Sequence, residues 1–265
     1  MGEIRVRTAG TDAGRPHGTR TGGDLMALPS RNHHITLAAA ALMTRRWRDS
    51  TPDDEKGGAF HAEQVLELLD QPGCAALRYY HALNEAGKPA LILVGVDVEG
   101  VDMSDGTLLE LMVPCPPWCG EWSELNSSAS PVVTRIARLG ATPPALPPRD
   151  HHIALEDAAR MTRRFRLRVR DRAKGGAFHA DQVRELLEQP ACVALRYYHA
   201  LDEAKQYAMV LVGVNPVGAD MTDGIVLEFS VPCPPFCGEF SELNSSSRAV
   251  AAAERQRVPV LAGLE

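Results

Sequence analysis

The chain has 265 residues, of which 45% are apolar, and a net charge of −6. This length is enough for two ordinary domains, each with a core of its own. The negative charge argues against a nucleic-acid partner or an anionic membrane surface, and no run approaches the roughly 18 apolar residues of a membrane span. The opening residues lack the apolar core of a secretory signal, so we expect a cytoplasmic protein. In that reducing compartment its six cysteines are expected to be free, metal-bound or redox-active.

The sequence contains an internal duplication. Residues 33–128 match residues 151–246 at a constant offset of 118 without insertion, and about two-thirds of the pairs are identical. We therefore predict two tandem repeat units, packed with approximate twofold symmetry. Residues 1–32 are interpreted as a mobile N-terminal tail, residues 129–150 as a proline-rich linker, and residues 247–265 as a C-terminal tail or short helix.

Each unit is predicted to have the element order α-α-β-β-β. In the first unit, Thr36 can cap the helix LAAAALMTRRWR, and a KGG turn precedes a second helix in FHAEQVLELLDQ. The runs CAALRYYHAL and PALILVGVDV, separated by NEAGK, predict a β-hairpin, and TLLELMVP predicts a third strand. The fold class is thus α+β, with a small antiparallel sheet covered by helices in each unit.

Two nearly identical stretches end the units: VPCPPWCGEWSELNSS, residues 113–128, and VPCPPFCGEFSELNSS, residues 231–246. The adjacent prolines exclude a helix, but a turn there can bring the Cys115 and Cys119 sulfurs to one side. Three interpretations remain open: a packed structural loop, a zinc clamp and a dithiol switch.

A zinc site needs more ligands than one close cysteine pair. A cysteine also opens the first predicted strand of each unit, and it can supply a third sulfur if the third strand lies beside the first. A meander would instead hold that cysteine far from the loop. The candidate metal ligands are Cys74, Cys115, Cys119, Cys192, Cys233 and Cys237.

The first strand of each unit carries a repeated polar pattern, RYYH. Strand alternation puts the arginine and one tyrosine on one face and the other tyrosine and the histidine on the opposite face. These residues are candidates for a surface or pocket: Arg78, Tyr80, His81, Arg196, Tyr198 and His199. The alternative is a half-buried strand in which Arg78 meets Glu110 across the sheet.

The order of these motifs resembles that of a group of uncharacterised bacterial proteins. Their pattern combines PGC, LR or IR followed by YY, a D/N-x-x-G-K turn, LVGVD and a terminal CPPxCG before a leucine and an asparagine. The resemblance covers most of each unit and implies a domain boundary near the asparagine-serine pair. It implies no activity.

No established catalytic motif is found: the sequence lacks GxSxG, HExxH, a Walker loop and a dinucleotide fingerprint. The catalytic residues, if there are any, are therefore unidentified. The sequence favours a non-enzymatic binding or assembly module that partners with itself or with another protein. The alternatives are a zinc-binding protein and a thiol oxidoreductase that uses the two CPPxC pairs.

Overall fold

The structure is a computed structural model that describes residues 27–52, 54–120, 123–127, 145–169, 173–237 and 241–245. Most of the predicted N-terminal tail and of the proline-rich linker lies outside these residues. The predicted C-terminal tail or helix lies outside them entirely.

The described residues form four helices and ten strands, so the predicted α+β class is confirmed. The helices are α1 (Leu37–Ser50), α2 (Ala62–Leu69), α3 (Leu155–Arg168) and α4 (Ala180–Leu187). The strands of the first unit are β1 (Gly57–His61), β2 (Ala76–Leu83), β3 (Pro89–Val96), β4 (Leu108–Leu109) and β5 (Val113–Cys115). Those of the second unit are β6 (Gly175–His179), β7 (Ala194–Leu201), β8 (Tyr207–Val214), β9 (Val226–Leu227) and β10 (Val231–Cys233).

The first helix of each unit begins where the sequence predicts. At α1, the Thr36 hydroxyl accepts a hydrogen bond from the Ala39 backbone N–H at 3.3 Å, which satisfies one of the free donors at a helix start. At α3 the same position is Ala154, which provides no side-chain cap. Glu156 and Asp157 in the first turn of α3 instead place negative charge near the helix N-terminus.

The glycine pair predicted as a turn belongs to a strand. Gly57 and Gly58 begin β1 and are buried in the sheet, although glycine is normally depleted in strands. A β-carbon at Gly57 would lie 1.9 Å from the backbone oxygen of Tyr197 in the neighbouring strand β7. The prediction of a turn was therefore wrong, because these glycines allow two backbones to approach closely rather than allowing the chain to reverse.

The single strand predicted in TLLELMVP is two short strands. The chain bends at Leu111, whose φ is +55°, and at Phe229 in the second unit, whose φ is +58°. Such values are uncommon for bulky side chains. Before the bend β4 pairs with β3, and after it β5 pairs with β1, so the chain leaves one sheet and joins another at Leu111.

Each of the two five-stranded antiparallel sheets contains strands of both units. The first sheet has the order β5-β1-β7-β8-β9 and the second the order β10-β6-β2-β3-β4. Strand β1 of the first unit lies between β5 and the second unit's β7, with Gly57 opposite Tyr198. In the second sheet Gly175 of β6 lies opposite Tyr80 of β2. The prediction that each unit builds its own sheet was therefore wrong, because the units exchange strands.

The two sheets enclose the main hydrophobic core. Leu77, Tyr79, Phe178 and Tyr197 pack there together with the buried faces of α2 and α4. The outer face of each sheet is covered by one long helix. Helix α1 of the first unit packs on β7 and β8, and α3 of the second unit packs on β2 and β3. Each long helix thus covers strands of the opposite unit.

We expect Gly57→Ala to destabilise the protein by about 2–3 kcal/mol or more, because the added methyl group would separate β1 from β7. Gly175→Ala should have the same effect, since a β-carbon there would lie 1.9 Å from the Tyr79 oxygen. Gly73→Ala is the control: its φ is +83° but no atom lies within 4 Å of an added β-carbon, so we expect a loss of about 1 kcal/mol. Urea unfolding would measure all three, and equal losses would contradict the assigned strand pairing.

Candidate functional site

The cysteine loops contain disulfides in this structure. Cys115 is bonded to Cys119, and Cys233 is bonded to Cys237. The first cysteine of each pair ends a strand and is fully buried, whereas the second lies in the loop and is partly exposed. The adjacent prolines between them, Pro116 and Pro117 in the first loop, are exposed. The turn expected from the sequence therefore brings the sulfurs together.

The candidate metal ligands of one unit do not converge. Cys74 is a free thiol whose sulfur lies 3.4 Å from the Ala76 oxygen, and it packs against the core between the sheets. Cys115 instead packs beneath α1, on the outer face of the first sheet, and its sulfur is bonded to that of Cys119. In the described part of the chain, no group of three or more His, Cys, Asp and Glu side chains is placed to hold a metal ion.

Arg78 lies at the centre of a buried polar network. Its side chain is fully buried in β2. One terminal nitrogen donates to the Asp102 carboxylate and to the Cys237 oxygen, the latter at 3.1 Å. The other donates to the Gly100 oxygen at 3.3 Å and to the Phe236 oxygen at 3.1 Å. Two of these four acceptors belong to the cysteine loop of the second unit, so an arginine of one unit holds the loop of the other.

The expected pairing of Arg78 with Glu110 was wrong. The partner is Asp102, which follows the turn after β3 and forms a β-bridge with Val96, and its side chain is fully buried with the guanidinium in an ion pair. Burial opposes the charge on Arg78, but the nearby Asp102 carboxylate outweighs it, and the pKa of the guanidinium is raised. The Arg78 Nε–H has no hydrogen-bond partner among the described residues.

Asp102 also connects the first unit with the last residues of the second. Its second oxygen accepts from the Tyr80 hydroxyl at 2.8 Å and from the Ser241 hydroxyl at 2.6 Å. Burial raises the pKa of Tyr80 well above its ordinary value, and the neighbouring carboxylate adds to that shift, so Tyr80 acts as a neutral hydrogen-bond donor. Asn244 completes the network by donating to the Cys237 oxygen at 3.2 Å.

The same network occurs at positions 118 residues apart. Arg196 pairs with Asp220 and donates to the Trp118 oxygen at 2.9 Å and the Cys119 oxygen at 3.2 Å. The Tyr198 hydroxyl donates to Asp220 at 2.8 Å, and the Ser123 hydroxyl of the first unit donates to the same carboxylate. Of the predicted surface or pocket residues, the structure thus places Arg78, Tyr80, Arg196 and Tyr198 in two buried networks between the units.

The two remaining candidates, His81 and His199, lie on the opposite strand faces. Both are partly buried at one end of the core and contact the Tyr207 ring, at centroid distances of 4.7 Å and 5.7 Å. His199 Nδ1 lies 2.7 Å from the Tyr207 hydroxyl. The strand alternation predicted for the RYYH run is therefore observed, and it separates each histidine from its arginine.

The SELNS segment, which is identical in the two units, has a structural role that the sequence alone did not reveal. The backbone turns there, with the Asn126 N–H donating to the Ser123 oxygen at 3.2 Å. Arg48 of α1 donates to the Leu125 oxygen, and the Lys56 ammonium donates to the Asn126 oxygen at 2.8 Å. The signal was present in the sequence, because basic residues occur at both equivalent positions, Arg166 and Lys174.

Two histidines that precede the long helices also join the units. His151 Nδ1 lies 2.9 Å from the Leu111 oxygen and 3.1 Å from the Glu110 oxygen, so this nitrogen carries the proton. The other ring nitrogen accepts from the His61 backbone N–H at 3.1 Å. The positive φ of Leu111 turns its carbonyl toward this ring. Burial lowers the pKa of His151 to about 4, and that of its counterpart His33 to about 4.

Among the described residues, the space between the sheets leaves little room for a ligand. The cavity there has a volume of about 10 Å³, at the lower limit of what a single water molecule requires. Its lining is entirely apolar or aromatic and includes Leu91, Leu93, Leu195, Met209 and Leu211.

None of the helices in the described ranges combines the length and the apolar character that crossing a membrane requires.

Comparison with known proteins adds no assignment: no family model, curated protein or solved structure matches this chain.

We expect Asp102→Ala to lower the free energy of unfolding by about 3–5 kcal/mol, because it leaves the buried Arg78 charge without its carboxylate. Asp220→Ala should do the same in the other network. Asp105→Ala is the control, since Asp105 is exposed in the neighbouring turn and its loss should change stability by less than about 0.5 kcal/mol. Chemical unfolding of the three variants would test this expectation, which losses of similar size would contradict.

Buried His151 and His33 should make the protein less stable in weak acid. Each has a folded pKa of about 4 against an ordinary 6.5, so their contribution is complete above pH 6.5 and is lost as the pH falls toward 4. At pH 5 the loss is on the order of 2 kcal/mol for each histidine. Glu228 acts in the opposite direction, because burial raises its pKa to about 7 and favours its protonated form.

Titration of the histidine ring signals by NMR would separate these contributions. The His151 ring should remain neutral down to about pH 5, and His151→Asn should flatten the fall in unfolding free energy between pH 7 and pH 5. A His151 ring that titrates near 6.5 would contradict the assigned hydrogen bonds.

Proposed function

We propose that this protein is a non-enzymatic binding or assembly module made from two copies of one unit. A tandem duplication places the copies in one chain, where they exchange strands about an approximate twofold axis. The resulting body carries two equivalent cysteine-loop surfaces, which are the places where it meets a ligand or partner. The proposal includes a cytoplasmic location.

The observation that supports this proposal most directly is the use made of the repeated polar residues. Arg78, Tyr80, Asp102 and Ser241 are the groups that would suggest chemistry by their type, yet all four are buried and bonded to one another. The hydrogen bonds from Arg78 to the Cys237 and Phe236 oxygens and from Ser241 to Asp102 join the two units. Residues used in this way stabilise an assembly, and none of these four side chains is exposed where a substrate could bind.

The exposed residues of each loop supply the surface for a partner. Pro116 and Pro117 are exposed and Trp118 is partly exposed. Val217 of the second unit, which is 48% exposed, precedes Gly218, whose backbone oxygen lies close against Gly120. Two prolines and a tryptophan of the first unit thus lie at the first loop, close to a valine of the second unit, and aromatic residues are enriched in protein interfaces.

Cleavage of the chain between the two units would test the assembly. A protease site inserted near Ala141, within the proline-rich linker, allows the full-length protein to fold before it is cut. We expect the two fragments to remain together in gel filtration at neutral pH, because β1 lies between β5 and β7 and β6 lies between β10 and β2. They should separate only in denaturant.

The control carries Arg78→Met and Arg196→Met, which remove the guanidinium groups from both networks. After cleavage its fragments should separate at a lower urea concentration than those of the parent. If the parent fragments separate without denaturant, the units are not interlocked and the proposed assembly is wrong.

A further inference from the structure

The two sulfurs of each loop disulfide differ in exposure. Cys115 is 0% exposed and packs with Met43 and Tyr198 beneath α1. Cys119 is partly exposed and follows two exposed prolines. In thiol–disulfide exchange a thiolate must approach one sulfur, and access determines which sulfur is attacked. Within each disulfide the partly exposed residue, Cys119 or Cys237, is therefore the side from which a thiol can approach, because Cys115 and Cys233 are fully buried.

The accessible cysteine is also the residue held by the opposite unit. The Cys119 oxygen accepts from Arg196 at 3.2 Å and from the Asn126 amide at 3.2 Å. The preceding oxygen, that of Trp118, accepts from Arg196 at 2.9 Å. If Cys119 moves, the buried guanidinium loses two acceptors at once, and unsatisfied buried donors are strongly unfavourable.

We propose that Cys119 and Cys237 are sites of attack by small thiols, and that reduction there loosens the contact between the units. The proposal rests on the assembly function above and assigns its regulation. Disulfides are mostly kept reduced in the cytoplasm, the location proposed for this protein. A small thiol such as glutathione is therefore the expected reductant. The oxidation state of the loop cysteines then follows that of the small-thiol pool.

Reduction of the loop disulfide takes two thiol–disulfide exchange steps. A thiolate attacks the Cys119 sulfur, forms a mixed disulfide and releases the Cys115 thiolate, which takes up a proton. A second thiolate attacks the sulfur of the bound thiol, so the small disulfide leaves and Cys119 becomes a thiol. Two small thiols are oxidised to one disulfide, and the protein disulfide is reduced to two thiols. The loop then lacks the bond that keeps residues 118 and 119 beneath Arg196.

The test uses the full-length chain with one loop disulfide removed. Cys233→Ser/Cys237→Ser leaves only the pair in the first loop. This protein is treated with a limiting amount of reduced glutathione, quenched with iodoacetamide and analysed by mass spectrometry of its peptides. We expect glutathione on Cys119 and alkylation on Cys115, with a preference of about tenfold or more. Equal labelling, or glutathione mainly on Cys115, would overturn the assignment of the attacked sulfur.

The second measurement follows amide hydrogen exchange before and after complete reduction with dithiothreitol. Exchange in β1 and β7, which pair across the units, should become about tenfold faster, because their opening requires less free energy once the loop is released. Strand β3 is the internal control, since its partners in the described sheet, β2 and β4, belong to its own unit, and the cysteine loop that reaches this sheet contains no disulfide in this variant. Unchanged exchange in β1 and β7 would overturn the coupling between reduction and assembly.

The mirror variant, Cys115→Ser/Cys119→Ser, repeats both measurements on Cys237 if the first variant folds poorly. Cutting the linker of the wild-type protein, in its oxidised and its reduced form, distinguishes failure of this inference from failure of the proposed function. If the fragments separate while oxidised, the assembly proposal is wrong. If they stay together equally well in oxidised and reduced protein, only the switch is wrong.

Discussion

A buried guanidinium must find hydrogen-bond acceptors inside the protein, and Arg78 and Arg196 each find half of theirs in the opposite unit. Neither arginine can be satisfied by its own unit alone, because the loop oxygens that it binds come from the other copy. Separation of the units would therefore leave two buried charges with incomplete shells of acceptors, a large cost. The strand exchange, the positions of the cysteine loops and the packing of the long helices are all compatible with this requirement.

The bend at Leu111 makes the arrangement geometrically possible. It moves the chain from the second sheet into the first within a few residues, so that β5 pairs with β1 of its own unit and the following cysteine loop reaches Arg196 of the opposite unit. A positive φ is unfavourable for leucine, but here it also directs the Leu111 oxygen toward the His151 ring at 2.9 Å. One local distortion thus serves two contacts between the units, and the same distortion occurs at Phe229.

Local pattern was enough to predict the elements that depend on local interactions. The helix at Leu37–Ser50, with its Thr36 cap, and the hairpin of β2 and β3 follow from periodicity and turn residues. The strand at Gly57–His61 was missed because its glycines are explained by a neighbouring backbone 140 residues away in sequence, that of Tyr197. The same limitation applies to Arg78: alternation indicates its strand face, but the sequence does not identify Cys237 and Phe236 as its acceptors. The spacing of the cysteines likewise did not distinguish a packed structural loop from a zinc clamp or a dithiol switch.

The differences between the two units indicate which contacts tolerate change. The network residues are the same in both copies, whereas Pro89 in the first unit is Tyr207 in the second. Tyr207 contacts both His81 and His199, so one side chain fills the end of the core where its counterpart provides only a proline ring. Met112 and Ser230 also differ, and only Ser230 hydrogen-bonds a core tyrosine, Tyr79, at 3.2 Å. Packing at the ends of the core can therefore be asymmetric, because apolar contacts accept different shapes. The Arg–Asp–Tyr–Ser networks cannot, because each buried donor needs an acceptor at a fixed position.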